Sequence, residues 1–279
     1  MNLPYCVPNL SIADYHALLE FLSNSGFSAA ARSWWHFEHR GDSKEKKTCY
    51  EQGDAGHAGM LEPKRFDEFF VRGYADRRGN KWKELVAENY DKTVLTESDY
   101  DAVAVMRDAI QAHPEARELL KKGKVEQSYF WVDRETEQQC RVRPDFETPI
   151  GDLADLKFVA DGCAERDKFI KDYIEGFGYY RQAAYYLDGV NAYKPMPNRK
   201  FFFVVVEKKP PHLVNVIPCG DEHLIAGREE YKYYLRKIDE YETMKRTKPD
   251  ELHDGYPLQM HIESEPTSWF HKRMERFDD

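Results

Sequence analysis

The sequence lacks paired cysteines and any metal-binding cysteine motif. Its five cysteines are odd in number and widely scattered, and none belongs to a C-x-x-C pair. This pattern argues against a zinc or iron–sulfur site and is typical of a protein kept in a reducing cytosol. We therefore expect a cytoplasmic protein whose cysteines behave as small buried hydrophobic residues.

Long apolar runs and targeting signals are also missing. No apolar stretch has the length that a membrane span needs, and residues 1–8 do not combine a basic region with an apolar one, so no signal peptide is expected. The mean hydropathy of −0.78 and the charged fraction of 33% describe a soluble chain. The sequence has no internal repeat, no low-complexity segment and no clear linker.

The sequence has fewer basic than acidic residues, which gives a formal net charge of −9 over 279 residues. This balance argues against a protein that coats DNA without specificity. It does not exclude a nuclease, because carboxylate-rich metal sites add negative charge and basic residues can be concentrated in one channel. An apolar fraction of 41%, with 14% aromatic residues, supports a core of one large domain or two small ones.

Two carboxylates and one lysine stand out in the middle of the chain. Arg143-Pro144-Asp145 is followed closely by Asp155-Leu156-Lys157. Because successive side chains of a strand point to opposite faces, Asp155 and Lys157 share one face of a predicted strand. A surface salt bridge would explain an isolated Asp-x-Lys. The neighbouring Arg-Pro-Asp and the helix that follows favour a site that holds Mg²⁺ against a phosphodiester and activates a water.

The same alternation makes a prediction for the preceding strand. Arg141, Arg143 and Asp145 should share one face of it, and residues 146–151 should form the turn that leads to the next strand, with Pro149 and Gly151 as breakers.

Periodicity and breaker residues predict the other elements. Predicted helices cover residues 11–24, 25–37, 56–70 with a break at Pro63, 99–120 with a break near Pro114, 165–187 and 221–247. Predicted strands cover residues 70–74, 125–133, 139–145, 153–159, 200–207 and 212–218, and residues 41–56 are expected to form a loop. The fold class is α/β, with a single domain over residues 1–247 that has a central mixed β-sheet flanked by helices, followed by an irregular tail over 248–279.

Four sequence blocks, in this order, resemble the PD-(D/E)-x-K nuclease superfamily. Within it they are similar to the RecE/exonuclease VIII-type nuclease domain of phage and prophage recombination systems. The blocks lie at 11–33, at 56–63, at 126–131 leading into 143–145 and 155–157, and at 178–186. Phe158 departs from the family, because a threonine commonly follows the catalytic lysine. The resemblance implies a restriction-endonuclease-like core.

The resemblance also implies metal ligands. Asp145, Asp155 and the backbone carbonyl of Leu156 would ligate Mg²⁺, and His57 would be an extra ligand, so that Mn²⁺ is expected to substitute. Lys157 would orient the attacking water or stabilise charge on the phosphate, and the sequence leaves both roles open.

The remaining candidates could support the metal site or contact DNA. Gln182 and Tyr186 are four residues apart and therefore share one helix face. They could hold the lysine or a DNA phosphate, or they could only form hydrogen bonds at the edge of the core. Glu126 is a further candidate acid. It could ligate the metal or support the residues that do, or it could simply be an exposed charge on a strand. Arg143 and Arg141 could contact the DNA backbone, and Trp131 could stack on unpaired bases, although tryptophan is more often a core residue.

The predicted activity is a metal-dependent DNA exonuclease. The resemblance implies digestion of linear duplex DNA from its ends, 5′ to 3′, which leaves 3′ overhangs for recombination. It further implies a ring-shaped homo-oligomer and a RecT-like single-strand annealing partner. Two alternatives stay open, which are a PD-(D/E)xK endonuclease or RecB-like nuclease and a non-catalytic protein that binds DNA ends.

Overall fold

The computed structural model describes residues 3–42, 48–253 and 255. The strands are β1 Tyr5–Val7, β2 Phe70–Arg72, β3 Thr93–Leu95, β4 Lys124–Val125, β5 Ser128–Val132, β6 Gln139–Val142, β7 Phe146–Glu147, β8 Leu153–Val159, β9 Phe201–Glu207 and β10 Val214–Pro218. The helices are α1 Ile12–Ala17, α2 Asn24–Arg32, α3 Trp34–Glu38, α4 Thr48–Leu61, α5 Pro63–Phe69, α6 Asn80–Glu88, α7 Glu97–Ala112, α8 Pro114–Leu119, α9 Arg166–Phe169, α10 Tyr179–Tyr193 and α11 Asp221–Thr247. A π-helical segment, Ile170–Glu175, follows α9, and a 3₁₀ turn, Pro249–Glu251, follows α11.

The main sheet has five strands in the order β10-β9-β8-β7-β4. Strands β8 and β9 pair in parallel over their whole length, and the other neighbours are antiparallel. The sheet is therefore mixed, as predicted. Two smaller sheets accompany it among the described residues, with strand orders β1-β5-β6 and β2-β3.

Two hydrophobic clusters cover the two faces of the main sheet. On one face Leu153, Phe201 and Phe203 pack with residues of α10 and α11. On the other face Leu156 and Val204 pack with residues of α4 and α7. Because side chains alternate along β8, this arrangement points Asp155 and Lys157 towards α10 and Leu156 towards α4. The prediction that β9 is a central strand buried on both faces is confirmed.

Several predicted elements have the expected limits. Strand β8 covers 153–159 and α11 covers 221–247, as predicted, and the helical regions broken at Pro63 and Pro114 are the pairs α4–α5 and α7–α8. The predicted strands over 125–133 and 139–145 form the antiparallel pair β5–β6, which belongs to the three-stranded sheet. Among the described residues, no helix has both the length and the apolar character that crossing a bilayer requires.

Other element predictions were wrong at identifiable points. The first helix, α1, is capped by Ser11. It ends at Ala17 because Leu22 joins the edge of β6, where its N–H donates to the Gln139 carbonyl at 2.7 Å. The second predicted helix is divided into α2 and α3 at Ser33. Residues 48–56 of the predicted loop are helical, and β1, β3 and α6 were not predicted. The described part of the predicted tail is short, and residues 256–279 lie outside the described residues.

The long helix predicted over 165–187 is also interrupted. It is divided into α9, the π-helical segment and α10, and Gly178 adopts a left-handed conformation with φ of 72° immediately before α10. Glycine reaches this region without the steric cost that other residues incur.

Candidate active site

The hairpin β7–β8 brings the two acidic residues together. Asp145 immediately precedes β7, and its Oδ2 accepts a hydrogen bond of 2.7 Å from the Leu156 N–H of β8. The predicted turn over 146–151 is shorter than expected, because Phe146 and Glu147 pair with Ala154 and Leu153 as strand β7. The carboxylate of Asp145 is therefore fixed to the backbone beside Asp155.

Asp155 and Lys157 form an ion pair on one face of β8, as the alternation predicted. The Lys157 Nζ lies 2.5 Å from Asp155 Oδ2, and the two side chains are 16% and 3% exposed. Gln182 of α10 contacts both groups. Its Nε2 donates to Asp155 Oδ1 at 2.8 Å, and its Oε1 accepts from Lys157 Nζ at 3.2 Å. Gln182 thus holds the two charged groups in one position, which is one of the roles that the sequence left open.

Two tyrosines of α10 border this group. Tyr186 packs its ring edge-on against Phe201 at 6.3 Å, and burial, together with the charge of Asp155, raises its pKa well above the ordinary value, so its phenol stays neutral. Tyr179 places its ring face 4.3 Å from Lys157 Nζ. The sequence reasoning missed Tyr179, although its position three residues before Gln182 on one helix face was the available signal.

A second cluster adjoins the first and is suited to metal binding. His57 of α4, Glu126 and Asp145 each offer one ligand atom, and these atoms lie within 4.8 Å of one another. His57 Nδ1 is 3.2 Å from Asp145 Oδ2. Glu126 lies between β4 and β5 with a positive φ of 52°, and its N–H donates to the Asp145 carbonyl at 3.1 Å. The structure therefore brings together His57 and Asp145, two of the predicted ligands, with the further candidate Glu126, whereas Asp155 is not part of this cluster.

The close packing of α4 on β8 positions His57. A Cβ atom added at Gly56 would lie 2.6 Å from Phe158 Cζ, so only glycine lets the helix approach this ring. The His57 ring packs edge-on against Phe158 with centroids 5.3 Å apart. The phenylalanine that follows the lysine thus packs directly against the helix that carries the histidine.

This packing predicts a difference between two glycines of α4. Gly56→Ala should destabilise the fold by about 1–3 kcal/mol, because the added methyl group overlaps Phe158, and should weaken Mn²⁺ binding by moving His57. Gly53→Ala is the matched control, since nothing lies within 4 Å of its Cβ position; it should be neutral or stabilising by about 1 kcal/mol. Urea unfolding and Mn²⁺ calorimetry check both variants, and equal behaviour would contradict the packing argument.

The electrostatics of the two clusters show an excess of negative charge. Burial, reinforced by repulsion from Asp145, raises the pKa of Asp155 to about 6. Burial and the same repulsion raise the pKa of Glu126 to about 7. Burial disfavours the charged form of His57, but attraction to Asp145 outweighs it and raises the pKa of the imidazole to about 9. The pKa of Asp145 is lowered, because His57 and Lys157 overcome the effect of its burial.

The residues present fit a divalent metal ion. The raised pKa values of His57, Glu126 and Asp155 indicate that the site favours added positive charge, which a bound cation would supply. Asp155 Oδ2 is buried and, among the described residues, contacts the Lys157 ammonium. Carboxylate oxygens with one imidazole make up a donor set suitable for Mg²⁺ or Mn²⁺.

Of the three predicted DNA-binding residues, one lies beside the metal cluster and two are buried elsewhere. Arg143 adjoins the metal cluster, where its Nε donates to Glu126 Oε2 at 2.5 Å and its Nη1 donates to the Leu10 carbonyl at 2.8 Å. Strand β6 ends at Val142, so Arg141 does not share a strand face with Asp145, contrary to the prediction.

Arg141 and Trp131 are not available to DNA in this structure. Arg141 is buried, donates to the Tyr15 carbonyl and places its guanidinium 4.6 Å from the Tyr15 ring centroid. Trp131 is a core residue whose ring lies 5.0 Å from Tyr185 and against Gly189. Both predictions of DNA contact are wrong, because these side chains join β5–β6 to α1 and α10.

An open cleft adjoins the metal cluster. Its volume is about 480 Å³, and its lining includes Asn9, Ser11, Asp54, Arg65, Glu126 and Arg143. Since Glu126 belongs to the metal cluster and also lines the cleft, the cleft gives solvent and ligands access to the site.

The mixed sheet, with its acid–acid–lysine arrangement on a β-hairpin, defines a PDDEXK-like domain. The chain belongs to the family described as "PDDEXK-like domain of unknown function (DUF3799)", whose model matches residues 11–251. A crystal structure from Eubacterium rectale, described as a "putative exonuclease", is similar with a TM-score of 0.63 and 15% sequence identity, over 95% of this chain and 98% of the other. This likeness concerns the fold. Comparison with curated proteins gives no match. The superfamily resemblance is confirmed, and the narrower RecE/exonuclease VIII-type assignment stays a prediction.

Proposed function

We propose that this protein is a divalent-metal-dependent exonuclease that digests linear double-stranded DNA from its ends. One observation supports this proposal above the others. The Asp145 carboxylate is fixed on the Leu156 N–H, next to the Asp155–Lys157–Gln182 group, and it clusters with His57 and Glu126. This arrangement supplies metal ligands and a cation within one site.

Asp145, Asp155 and the Leu156 carbonyl, with His57 and Glu126, are the groups that would hold Mg²⁺ or Mn²⁺. When bound, such an ion lowers the pKa of a water and stabilises charge on the phosphodiester oxygens. Gln182 keeps Asp155 Oδ1 in place, and the other oxygen contacts Lys157. The imidazole ligand favours activity with Mn²⁺ as well as Mg²⁺.

Lys157 supplies the positive charge of the chain itself at this site. Burial disfavours its ammonium form, but the Asp155 carboxylate outweighs burial and raises the pKa of Lys157. The lysine therefore stays protonated and can donate to a phosphate oxygen or orient the attacking water. Gln182 accepts one of its protons and Tyr179 lies against it, which limits the directions that its remaining N–H groups can take.

The 5′ to 3′ direction, the 3′ overhang for recombination, the ring-shaped homo-oligomer and the RecT-like partner also belong to the proposal. They are supported by the resemblance to RecE/exonuclease VIII-type domains. The double-stranded DNA end is the proposed substrate, and residues 1–247 are the proposed catalytic domain.

The test compares linear duplex with covalently closed circular duplex in Mg²⁺, in Mn²⁺ and in EDTA. Blunt linear duplex should release nucleotides in either metal and stay intact in EDTA, and covalently closed circular duplex should stay intact throughout. Strands labelled at the 5′ or the 3′ end report the direction of digestion. Cleavage of the circle would support an endonuclease instead. Binding to ends without cleavage, and without heat on Mn²⁺ titration, would support a non-catalytic end-binding protein.

A further inference from the structure

One exposed aromatic residue stands next to the candidate active site without a role in the function proposed above. Phe177 connects the π-helical segment to α10, and it is 66% exposed. Single exposed apolar residues are common and need no explanation in themselves. Phe177 differs from such residues in how it is held and in what it adjoins.

The backbone around Phe177 is fixed. Its N–H donates to the Tyr173 carbonyl at 3.2 Å, and the Gly176 N–H donates to the Lys171 carbonyl at 3.0 Å. A Cβ atom at Gly176 would lie 2.5 Å from the Asp172 carbonyl oxygen, so this turn requires glycine. The left-handed Gly178 follows directly. The two glycines hold Phe177 at the tip of a defined turn.

The ring of Phe177 is supported on one side only. It packs edge-on against Tyr173 with centroids 5.2 Å apart and lies 6.2 Å from the Tyr179 centroid. Tyr173 in turn stacks on the buried Phe169 with centroids 5.2 Å apart. The aromatic cluster anchors the ring, while most of its surface stays open to a ligand.

The same cluster leads to the reacting groups. The Tyr179 ring contacts both residues, with its centroid 6.2 Å from that of Phe177 and 4.3 Å from Lys157 Nζ. Gln182, one turn further along α10, contacts Lys157 and Asp155. Phe177 and Lys157 thus adjoin the same ring, and a nucleotide can bridge this spacing with its base at Phe177 and its phosphate at Lys157.

We propose that the Phe177 ring stacks on the base of the nucleotide next to the scissile phosphate. Every nucleobase has a flat π-face, so such a contact positions DNA without selecting a sequence. This inference rests on the proposed nuclease function and adds a substrate-positioning residue to it. Phe177 binds the substrate, whereas Lys157 and the carboxylates carry out the reaction.

The experiment compares Phe177→Ala and Phe177→Trp with Tyr233→Ala, a control on α11 whose aromatic side chain is 49% exposed. Phe177→Ala should raise KM for linear duplex by about 10- to 100-fold, the range expected for loss of one stacked base, with a much smaller change in kcat. Phe177→Trp should restore KM, and Tyr233→Ala should match the wild type.

A second readout does not depend on catalysis. Duplex carrying 2-aminopurine as the terminal base is titrated with protein in a Lys157→Met background, where stacking on an aromatic ring quenches the fluorescence. Quenching should disappear in Phe177→Ala and persist in Phe177→Trp. If the wild type digests linear DNA but Phe177→Ala matches Tyr233→Ala in KM and quenching, the stacking inference is wrong and the nuclease proposal stands. If the wild type neither digests nor binds linear DNA with either metal, both proposals are wrong.

Discussion

Replacing Lys157 with alanine should lower the rate of DNA digestion by about 10³-fold, the loss expected when a preorganised charge at a transition state is removed. The ammonium is protonated, nearly buried and held by Asp155, Gln182 and Tyr179. Water that entered the space would not reproduce a fixed positive charge. Nucleotide release from blunt linear duplex at saturating Mg²⁺ measures the effect.

Loss of folding is the competing explanation, because removing one partner of a buried ion pair costs about 3–5 kcal/mol. Lys157→Met keeps the aliphatic stem and removes only the charge, so it should lose as much activity while staying closer to the wild type in stability. Lys237→Ala removes a lysine from the exposed face of α11, where it pairs with Glu240, and should leave activity unchanged. Activity of Lys157→Met near the wild-type rate would contradict the assigned role.

Asp145→Asn should abolish measurable Mn²⁺ binding and lower the pKa of His57. Asp145 is central to the site, since it contacts His57 and lies in the same cluster as Glu126. The amide removes the negative charge that offsets the burial of His57. The pKa of the imidazole should then fall from about 9, so that His57 becomes neutral at a lower pH than in the wild type.

Calorimetry with Mn²⁺ and NMR titration of the His57 ring test the two parts of this prediction separately. Asp152→Asn is the matched control in the same hairpin, because Asp152 accepts a hydrogen bond from the Lys200 N–H at 2.8 Å and is not part of the metal cluster. It should keep metal affinity and the pKa of His57. Retained Mn²⁺ affinity in Asp145→Asn would exclude this carboxylate as a required ligand.

The sequence was most informative where local pattern and tertiary environment agree. The alternation through 153–159 predicted both the limits of β8 and the shared face of Asp155 and Lys157, because one strand supplies both residues. The apolar run of β9 likewise predicted a buried central strand. In these segments a period of two is enough to determine which side chains meet.

The failures occur where contacts between distant segments decide the structure. Helix α4 begins within a polar, glycine-containing region that was expected to be a loop, yet Ala55 and Ala58 are buried and Gly56 packs on Phe158. Glycine is a poor helix former by itself, but tertiary packing overrides this preference. Arg141 illustrates the same limit. Its burial beside Tyr15 depends on a segment far away in the sequence, which alternation cannot reveal.

Strand β8 lies inside the main sheet, paired with β9 over residues 153–159 and with β7 at Leu153 and Ala154. Amides inside a sheet exchange with solvent only when the sheet opens, so those of β8 should be among the slowest in hydrogen–deuterium exchange. The Asp155 and Lys157 side chains, which this strand carries, should therefore stay ordered until the sheet opens. Loss of catalysis on heating should therefore coincide with cooperative melting of the domain.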